Sequence, residues 1–286
     1  MTKRLIIGCG YLGFRVAKLW QTLGHDVHLL TRSEQTAALF KQQGFTAHVG
    51  DVTQLSTLDL FPAATEVLYA VGFDRTENYD IHDVYCTGLE NIIQRLSKTP
   101  NRFIHISSTG VYGQVNGSLV DEETLAEPMR DSGVAALAAE KILKQSSLST
   151  SAVSLRLGGI YGPQRIPYLK KIISGEPLAV PSQGWLNLVH VEDAVQIIEL
   201  LCHAPLQHHL YLVTDGVPVL RRDYLNEIAR LLQAPDITWA PSDPSTAVAQ
   251  RALGSKRIDT QRLASDLRFI WKYPSYREGL ASILSE

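Results

Sequence analysis

The stretch Leu5-Ile6-Ile7-Gly8-Cys9-Gly10-Tyr11-Leu12-Gly13 decides the fold of this chain. A short apolar run feeds a G-x-G-x-x-G turn, and each glycine has a mechanical reason to be there in a dinucleotide site. Gly8 permits the tight turn, Gly10 lets the backbone approach a pyrophosphate, and Gly13 lets the following helix pack closely on the strand. The amides around Tyr11 and Leu12 then face the diphosphate with the positive end of a helix dipole. By itself the motif is weak, because glycine turns join many strands to helices. Its surroundings strengthen it. Leu12, Val16, Leu19, Trp20 and Leu23 recur at helical spacing from Tyr11 to Leu23, and a second apolar strand follows at Val27-His28-Leu29-Leu30. The expectation is a bound dinucleotide, against the alternative of a purely structural strand-to-helix turn.

The second strand bears on which dinucleotide. An NAD site usually carries Asp or Glu at this strand's end, where the carboxylate accepts hydrogen bonds from the ribose hydroxyls. Here the strand ends Leu30-Thr31-Arg32-Ser33, with no acid. A guanidinium pairs with a 2′-phosphate and stacks on adenine, whereas a carboxylate repels that phosphate. Thr31 or Ser33 can add a hydrogen bond. This favours NADP over NAD. A plainer reading is also open, in which Arg32 is solvated and Ser33 caps a helix with Glu34 in its first turn.

At 286 residues the chain is long enough for one large α/β domain or a domain with a smaller lobe. Its 27 basic and 29 acidic side chains nearly cancel, and no long basic block occurs, so nucleic acid is not an expected partner. Cys9, Cys86 and Cys202 lie far apart without metal or redox spacing, which suits a reducing cytoplasm. The first apolar run is too short for a signal peptide, and nothing approaches a membrane span. Strand and helix patterns alternate through the first two-thirds. Strands are expected at Thr46–Val49, Val67–Val71, Asn101–Ile106, Ala152–Leu157, Leu186–Val191 and Leu210–Val213. Helices are expected near Ser33–Gln43, Tyr79–Ser97, Ser132–Gln145, Asp193–Cys202, Arg222–Leu232 and Gln261–Leu267. The fold class is therefore α/β: a doubly wound parallel sheet of Rossmann type with a small, mainly helical C-terminal lobe. A dinucleotide-binding domain is expected over 1–160, with 186–214 returning to the sheet. A substrate-binding lobe takes 161–185 and 215–286.

Several further motifs follow one another in a set order. They are Gly50-Asp51-Val52, Ser107-Ser108-Thr109-Gly110-Val111-Tyr112-Gly113, Arg156, Ile160-Tyr161-Gly162-Pro163 and Asn187-Leu188-Val189-His190-Val191-Glu192-Asp193-Ala194. With the glycine turn, this series resembles the extended short-chain dehydrogenase/reductases, the NAD-dependent epimerase/dehydratase family, over nearly the whole chain. The resemblance implies that Asp51 contacts the adenine. It also implies cofactor contacts from Val52, Ala70, Val71, Gly72 and Ser107, substrate contacts from Thr109 and Tyr161, and a homodimer through helices flanking the sheet. The family's dehydratases carry an acidic pair after the Ser/Thr. Thr109 and Gly110 stand there, which counts against dehydration.

Family chemistry uses a Ser/Thr, a Tyr that transfers a proton, and a Lys four residues later that lowers the Tyr pKa from near 10. Ser108 stands in the Ser/Thr position. No Tyr-x-x-x-Lys occurs. Aligning Lys141 with the Lys puts Leu137 at the Tyr position. The fuller family pattern instead fits Ser132-Gly133 through Glu140, with Ser132 for Tyr and Ala136 for Lys. Losing positioned acid–base help costs about 10²–10⁴ in rate. Tyr112 is the candidate stand-in acid, though it also reads as a packed wall residue, and Tyr161 is a weaker one. His190 reads as structural, and His208-His209 as surface without metal spacing. Ser255-Lys256-Arg257 reads either as a cationic site for a phosphate or diphosphate, through Lys256 and Arg257, or as a cap for a helix starting near Asp259. Arg165, Arg221 and Arg222 are further cationic candidates. Ser275 reads as an N-cap with Glu278 at N3. The functional expectation is an atypical NADP-dependent oxidoreductase or epimerase on a small polar or nucleotide-linked substrate. Its alternative is a non-catalytic NADP(H)-binding redox sensor or scaffold.

Overall fold

The computed structural model describes residues 2–285 except 75–77, 244 and 253. In chain order the elements are β1 (Lys3–Ile7), α1 (Tyr11–Thr22), β2 (Asp26–Thr31), α2 (Glu34–Gln42), β3 (Thr46–Val49), β4 (Glu66–Tyr69), α3 (Gly88–Arg95), β5 (Arg102–Ser108), β6 (Leu119–Val120) and α4 (Asp131–Gln145). There follow β7 (Ala152–Leu157), β8 (Gly159–Tyr161), α5 (Leu169–Ser174), β9 (Trp185–Leu186), β10 (Leu188–His190), α6 (Val191–His203), β11 (Leu210–Val213), β12 (Val219–Leu220), α7 (Arg221–Leu231), α8 (Ala247–Ala252), β13 (Arg257–Ile258), α9 (Gln261–Leu267) and α10 (Tyr276–Leu284).

Seven strands form one parallel sheet in the order β11-β7-β5-β4-β1-β2-β3. The order runs outward in both directions from β1 and β4, so the topological switch point lies between their carboxyl ends. The expected doubly wound α/β fold is the one observed. The strands read as apolar runs because both faces are covered: β7 is buried along its whole length, and β1 is buried from Arg4 on.

The chain divides into two units of three segments each. The sheet unit holds Met1–Val111, Ala126–Arg156 and Val195–Tyr211. The second unit holds Tyr112–Leu125, Leu157–Ala194 and Leu212–Glu286. It thus takes in 112–125 and 186–194, which the sequence places with the dinucleotide-binding domain. Each unit has its own core. Leu5, Val67, Tyr69, Leu89, Phe103 and Leu143 belong to the first, and Tyr161, Leu188, Tyr224, Leu225, Ile228 and Leu280 to the second.

Three local expectations are corrected. The segment 186–191 is not one strand returning to the sheet. Asn187 interrupts it, β9 pairs with β12, and β10 pairs with β8; only β11 rejoins the large sheet. At the break the Asn187 side chain donates to the Lys256 carbonyl at 2.9 Å and accepts from the Ile258 amide at 2.8 Å, while its carbonyl accepts from the Gly159 amide at 2.7 Å. The helix expected from Tyr79 begins two residues later. Asp80 accepts from the His82 amide at 2.7 Å, and a π turn at Asp83–Thr87 precedes α3. Finally, β4 ends at Tyr69 rather than Val71, although the Ala70 amide still bonds to the Ile7 carbonyl at 2.8 Å.

Candidate functional site

The glycine turn sits at the carboxyl end of β1, on the switch point. Gly8 has φ +90°, and a Cβ there would lie 2.5 Å from the Ala70 carbonyl. Only glycine fits both demands. A Cβ on Gly13 would strike the Gly8 carbonyl oxygen, so α1 packs against the turn as closely as backbones allow. Gly10 differs: nothing lies within 4 Å of where its Cβ would be. It occupies the N-cap of the 12-residue α1 and contributes no side-chain cap, and the first turn carries no acid. The structure therefore leaves open backbone and an uncapped helix start at this point. Cys9, between the two glycines, is held as a thiol because burial pushes its pKa up to about 12.

The ends of β2 and β3 gather Thr31, Arg32, Ser33, Asp51 and Val52. Ser33 caps α2 by accepting from the Thr36 amide at 3.3 Å, while Thr31 Oγ1 accepts from the Ser33 amide. Arg32 is exposed, and its guanidinium lies 5.3 Å from the ring centre of Tyr79. The Tyr79 hydroxyl donates to Asp51 Oδ2 at 2.6 Å. Asp51 Oδ1 accepts from the Thr53 amide and hydroxyl at 2.9 and 2.8 Å. Burial works to raise the Asp51 pKa, but these hydrogen bonds and the Arg32 charge outweigh it and hold the carboxyl below its ordinary value.

At the end of β5, Ser108 is exposed, and its Oγ accepts from the Gly110 amide at 3.0 Å, leaving its proton to give. Ser107, in contrast, is buried and donates to Glu140 Oε1 at 2.5 Å. Glu140 on α4 also takes Arg156 of β7 at 2.6 Å, so strand and helix are tied by a buried ion pair. A Cβ on Gly133 would strike the Gly110 carbonyl oxygen, which brings the start of α4 against the turn holding Thr109. Ser132 is half-buried there, and Ala136 is buried. Arg130, just before α4, approaches the same turn. Its Nη2 and Ser108 Oγ lie 3.4 and 3.1 Å from the position a Gly110 Cβ would take.

The second unit holds the remaining candidates, mostly buried. Tyr112 is 2 % exposed and donates its proton to the Asp121 carbonyl at 2.7 Å. The hydroxyl of this candidate stand-in acid is thus bonded to a backbone acceptor. Tyr161 is equally buried, lies against His190 and Tyr224, and burial pushes its pKa far up. His190 packs on Tyr273 and accepts from the Glu192 amide, a structural histidine. Asp193 accepts from the amides of Lys272 and Tyr273 at 2.9 and 3.0 Å and so fixes the approach to α10. Lys256 is no open cationic site. It is 9 % exposed, and its ammonium donates to the Tyr112 carbonyl at 2.9 Å. Its neighbour Arg257 is exposed, with its guanidinium over Trp185 and bonded to the Gly117 carbonyl. Arg257 lies in β13, and the next helix starts only at Gln261, so Ser255-Lys256-Arg257 caps no helix.

Sequence reasoning missed Tyr79 and Arg130. Both lie in irregular segments with no periodicity to mark them, and only the fold brings them to Asp51 and Ser108. Among the described residues, no three His, Cys, Asp or Glu side chains cluster as a metal site, and no helix is long and apolar enough to cross a membrane.

Known proteins resemble the chain along nearly its full length. Protein YeeZ of Escherichia coli is 27% identical over 280 residues, covering 96% of this chain and 97% of YeeZ. The Bordetella bronchiseptica enzyme WbmG, solved in complex with NAD and UDP, superposes with a TM-score of 0.82 at 17% identity, over 99% of this chain and 94% of WbmG. The UDP-glucose 4-epimerase of Thermotoga maritima, solved with UDP-glucose, gives 0.78 at 14% identity, over 99% and 97% of the two chains. The switch-point glycine turn, the seven-stranded parallel sheet and the match of residues 5–212 to its pattern place this chain in the NAD dependent epimerase/dehydratase family.

Proposed function

We propose that the sheet unit binds a nicotinamide dinucleotide, NADP in preference to NAD. The protein is then an atypical oxidoreductase or epimerase acting on a small polar or nucleotide-linked substrate. The observation that carries this reading is the pair Gly8 and Gly10: a left-handed glycine seated on Ala70, then a glycine with open space above its Cα. Gly8, Gly10, Gly13 and the amides of Tyr11 and Leu12 hold the diphosphate. Thr31, Arg32, Ser33, Asp51 and Val52 hold the adenosine end, and Ala70, Val71, Gly72 and Ser107 line the way toward the nicotinamide. The bound cofactor supplies hydride exchange. The exposed Ser108 hydroxyl donates a hydrogen bond to a substrate carbonyl or hydroxyl, with Thr109 beside it. The WbmG complex with NAD and UDP, and the Thermotoga complex with UDP-glucose, support the class of ligand. This reading leaves Tyr112 out of proton transfer, because its hydroxyl donates to the Asp121 carbonyl.

Calorimetric titration of cofactor-stripped protein with NADPH and then NADH tests the reading. Binding of NADPH at least tenfold tighter than NADH supports it; binding of neither overturns it. A second reading, an NADP(H)-binding sensor or scaffold without catalysis, is favoured by one observation. On the register that aligns Gly133 and Glu140 with the family pattern, Ser132 and a buried Ala136 stand at its Tyr and Lys positions. The two separate on Ser108→Ala. That change abolishes turnover of any carbonyl or nucleotide-sugar that the enzyme oxidises or reduces, and leaves redox-dependent capture of a partner intact.

A further inference from the structure

Arg32 and Asp51 carry opposite charges at the ends of neighbouring strands, yet among the described residues they form no ion pair. What stands with them is Tyr79. Its ring lies beside the Arg32 guanidinium, 5.3 Å from centroid to carbon, and its hydroxyl takes Asp51 Oδ2 at 2.6 Å. The other carboxylate oxygen is occupied by Thr53. Among the described residues Asp51 takes its hydrogen bonds from neutral donors, and the Arg32 charge acts on it only through space. Arg32 is left exposed, held by the face and the hydroxyl of Tyr79 rather than against a carboxylate. A guanidinium bound to a carboxylate forms the same two-pronged hydrogen bonds that it would offer a phosphate, so the two acceptors compete for it.

We propose that Tyr79 is a specificity-determining residue: as a spacer between Arg32 and Asp51, it keeps the guanidinium available for a 2′-phosphomonoester on the adenosine ribose. The inference rests on the dinucleotide reading above and assigns its discrimination to a residue outside the glycine turn and the β2 terminus. The ring does the spacing. The hydroxyl satisfies Asp51 and also meets the Arg32 guanidinium. Removing the whole side chain lets Arg32 fold onto Asp51, and the phosphate loses its partner. Removing only the hydroxyl keeps the wedge in place.

The test is calorimetric titration of the full-length chain with NADPH and NADH, comparing wild type, Arg32→Ala, Tyr79→Ala, Tyr79→Phe and the double variant Tyr79→Ala/Asp51→Asn. Thermal melts of the apo proteins show that each is folded. The expected result is an NADPH/NADH affinity ratio that falls at least tenfold in Tyr79→Ala, nearly as far as in Arg32→Ala. It stays within about threefold of wild type in Tyr79→Phe. The double variant regains the ratio, even with both affinities reduced, because the competing carboxylate charge is gone. A merely structural Tyr79 would not give that rescue. A wild-type ratio near one overturns the NADP reading and the spacer together. A wild-type preference lost in Arg32→Ala but kept in Tyr79→Ala overturns the spacer alone. So does a ratio lost equally in Tyr79→Phe and Tyr79→Ala, or one not regained in the double variant.

Discussion

Asp215 shows how far a single buried side chain can tilt the stability of a domain. It lies in the second unit, 6 % exposed, with Oδ1 accepting from the Val217 amide and Oδ2 buried without a partner among the described residues. Burial pushes its pKa up to about 7, and the negative charges of Asp193 and Glu278 add to the shift. An acid whose folded pKa is raised contributes stability that is complete below its unfolded value near 4. That contribution drains away as pH rises through 7. The loss is on the order of 2–4 kcal/mol by pH 8. Asp215→Asn keeps the acceptor for Val217 and carries no charge. Its urea midpoint is therefore expected to exceed wild type at pH 8 and to match it near pH 4. Parallel curves across that range would show that the carboxyl finds compensation elsewhere.

At the scale of elements, the glycine turn and the β5–α4 junction make separable predictions. Gly8→Ala forces a side chain into left-handed backbone and against Ala70, and is expected to cost about 2–4 kcal/mol of stability. Gly10→Ala meets nothing in the folded protein, so its stability should stay within about 1 kcal/mol of wild type. A methyl group would nevertheless occupy the space above the backbone, so NADPH affinity should fall at least tenfold. If Gly10→Ala binds NADPH normally, no pyrophosphate lies over that turn. At the junction, Glu140→Ala removes the carboxylate partner of the buried Arg156 guanidinium and of the Ser107 hydroxyl. Denaturant unfolding is expected to show a loss of about 3–5 kcal/mol. A loss below 1 kcal/mol would mean that water replaces the carboxylate.

The same scale shows what could be read in advance. The strands β1, β2, β3, β7 and β11 and the helices α1 and α9 were legible because apolar spacing and glycine stops are local signals. The Ser275–Glu278 start of α10 was legible too, and the Ser275 hydroxyl indeed donates to Glu278 Oε2 at 2.5 Å. The break at Asn187 was not. The Asn187 side chain there clamps Lys256 and Ile258, some seventy residues away, and no window of neighbouring residues contains that contact. The π turn before α3 has no periodic signature. Lys256 reads as a surface cation, and only the path of the chain buries it beneath the Tyr112 carbonyl. Ser108 and Arg32 stayed where motif order put them, at strand ends, because the backbone there is dictated by the sheet.

For the whole molecule, the division into two separately cored units gives a spatial signature for the cofactor. NADPH at about 100 times its dissociation constant should add roughly 2.7 kcal/mol to whatever it binds. Hydrogen exchange should then slow in β1, α1, β2 and β4 of the sheet unit. The second unit's core around Tyr224 and Ile228 should change less. Protection confined to the second unit would place the dinucleotide elsewhere and set aside the switch-point site.

The position of β11 at the margin of the sheet also bears on synthesis. It lies beyond β7, yet it is the last sheet strand to leave the ribosome. The fully buried β7 emerges about fifty residues earlier, and at 5–20 residues per second it waits roughly 3–10 s for its neighbour. Throughout that interval the nascent chain presents an unpaired strand edge, open to pairing with another polypeptide. A chain released after β7 but before Leu210 keeps β7, rather than β11, as the outer strand of its sheet.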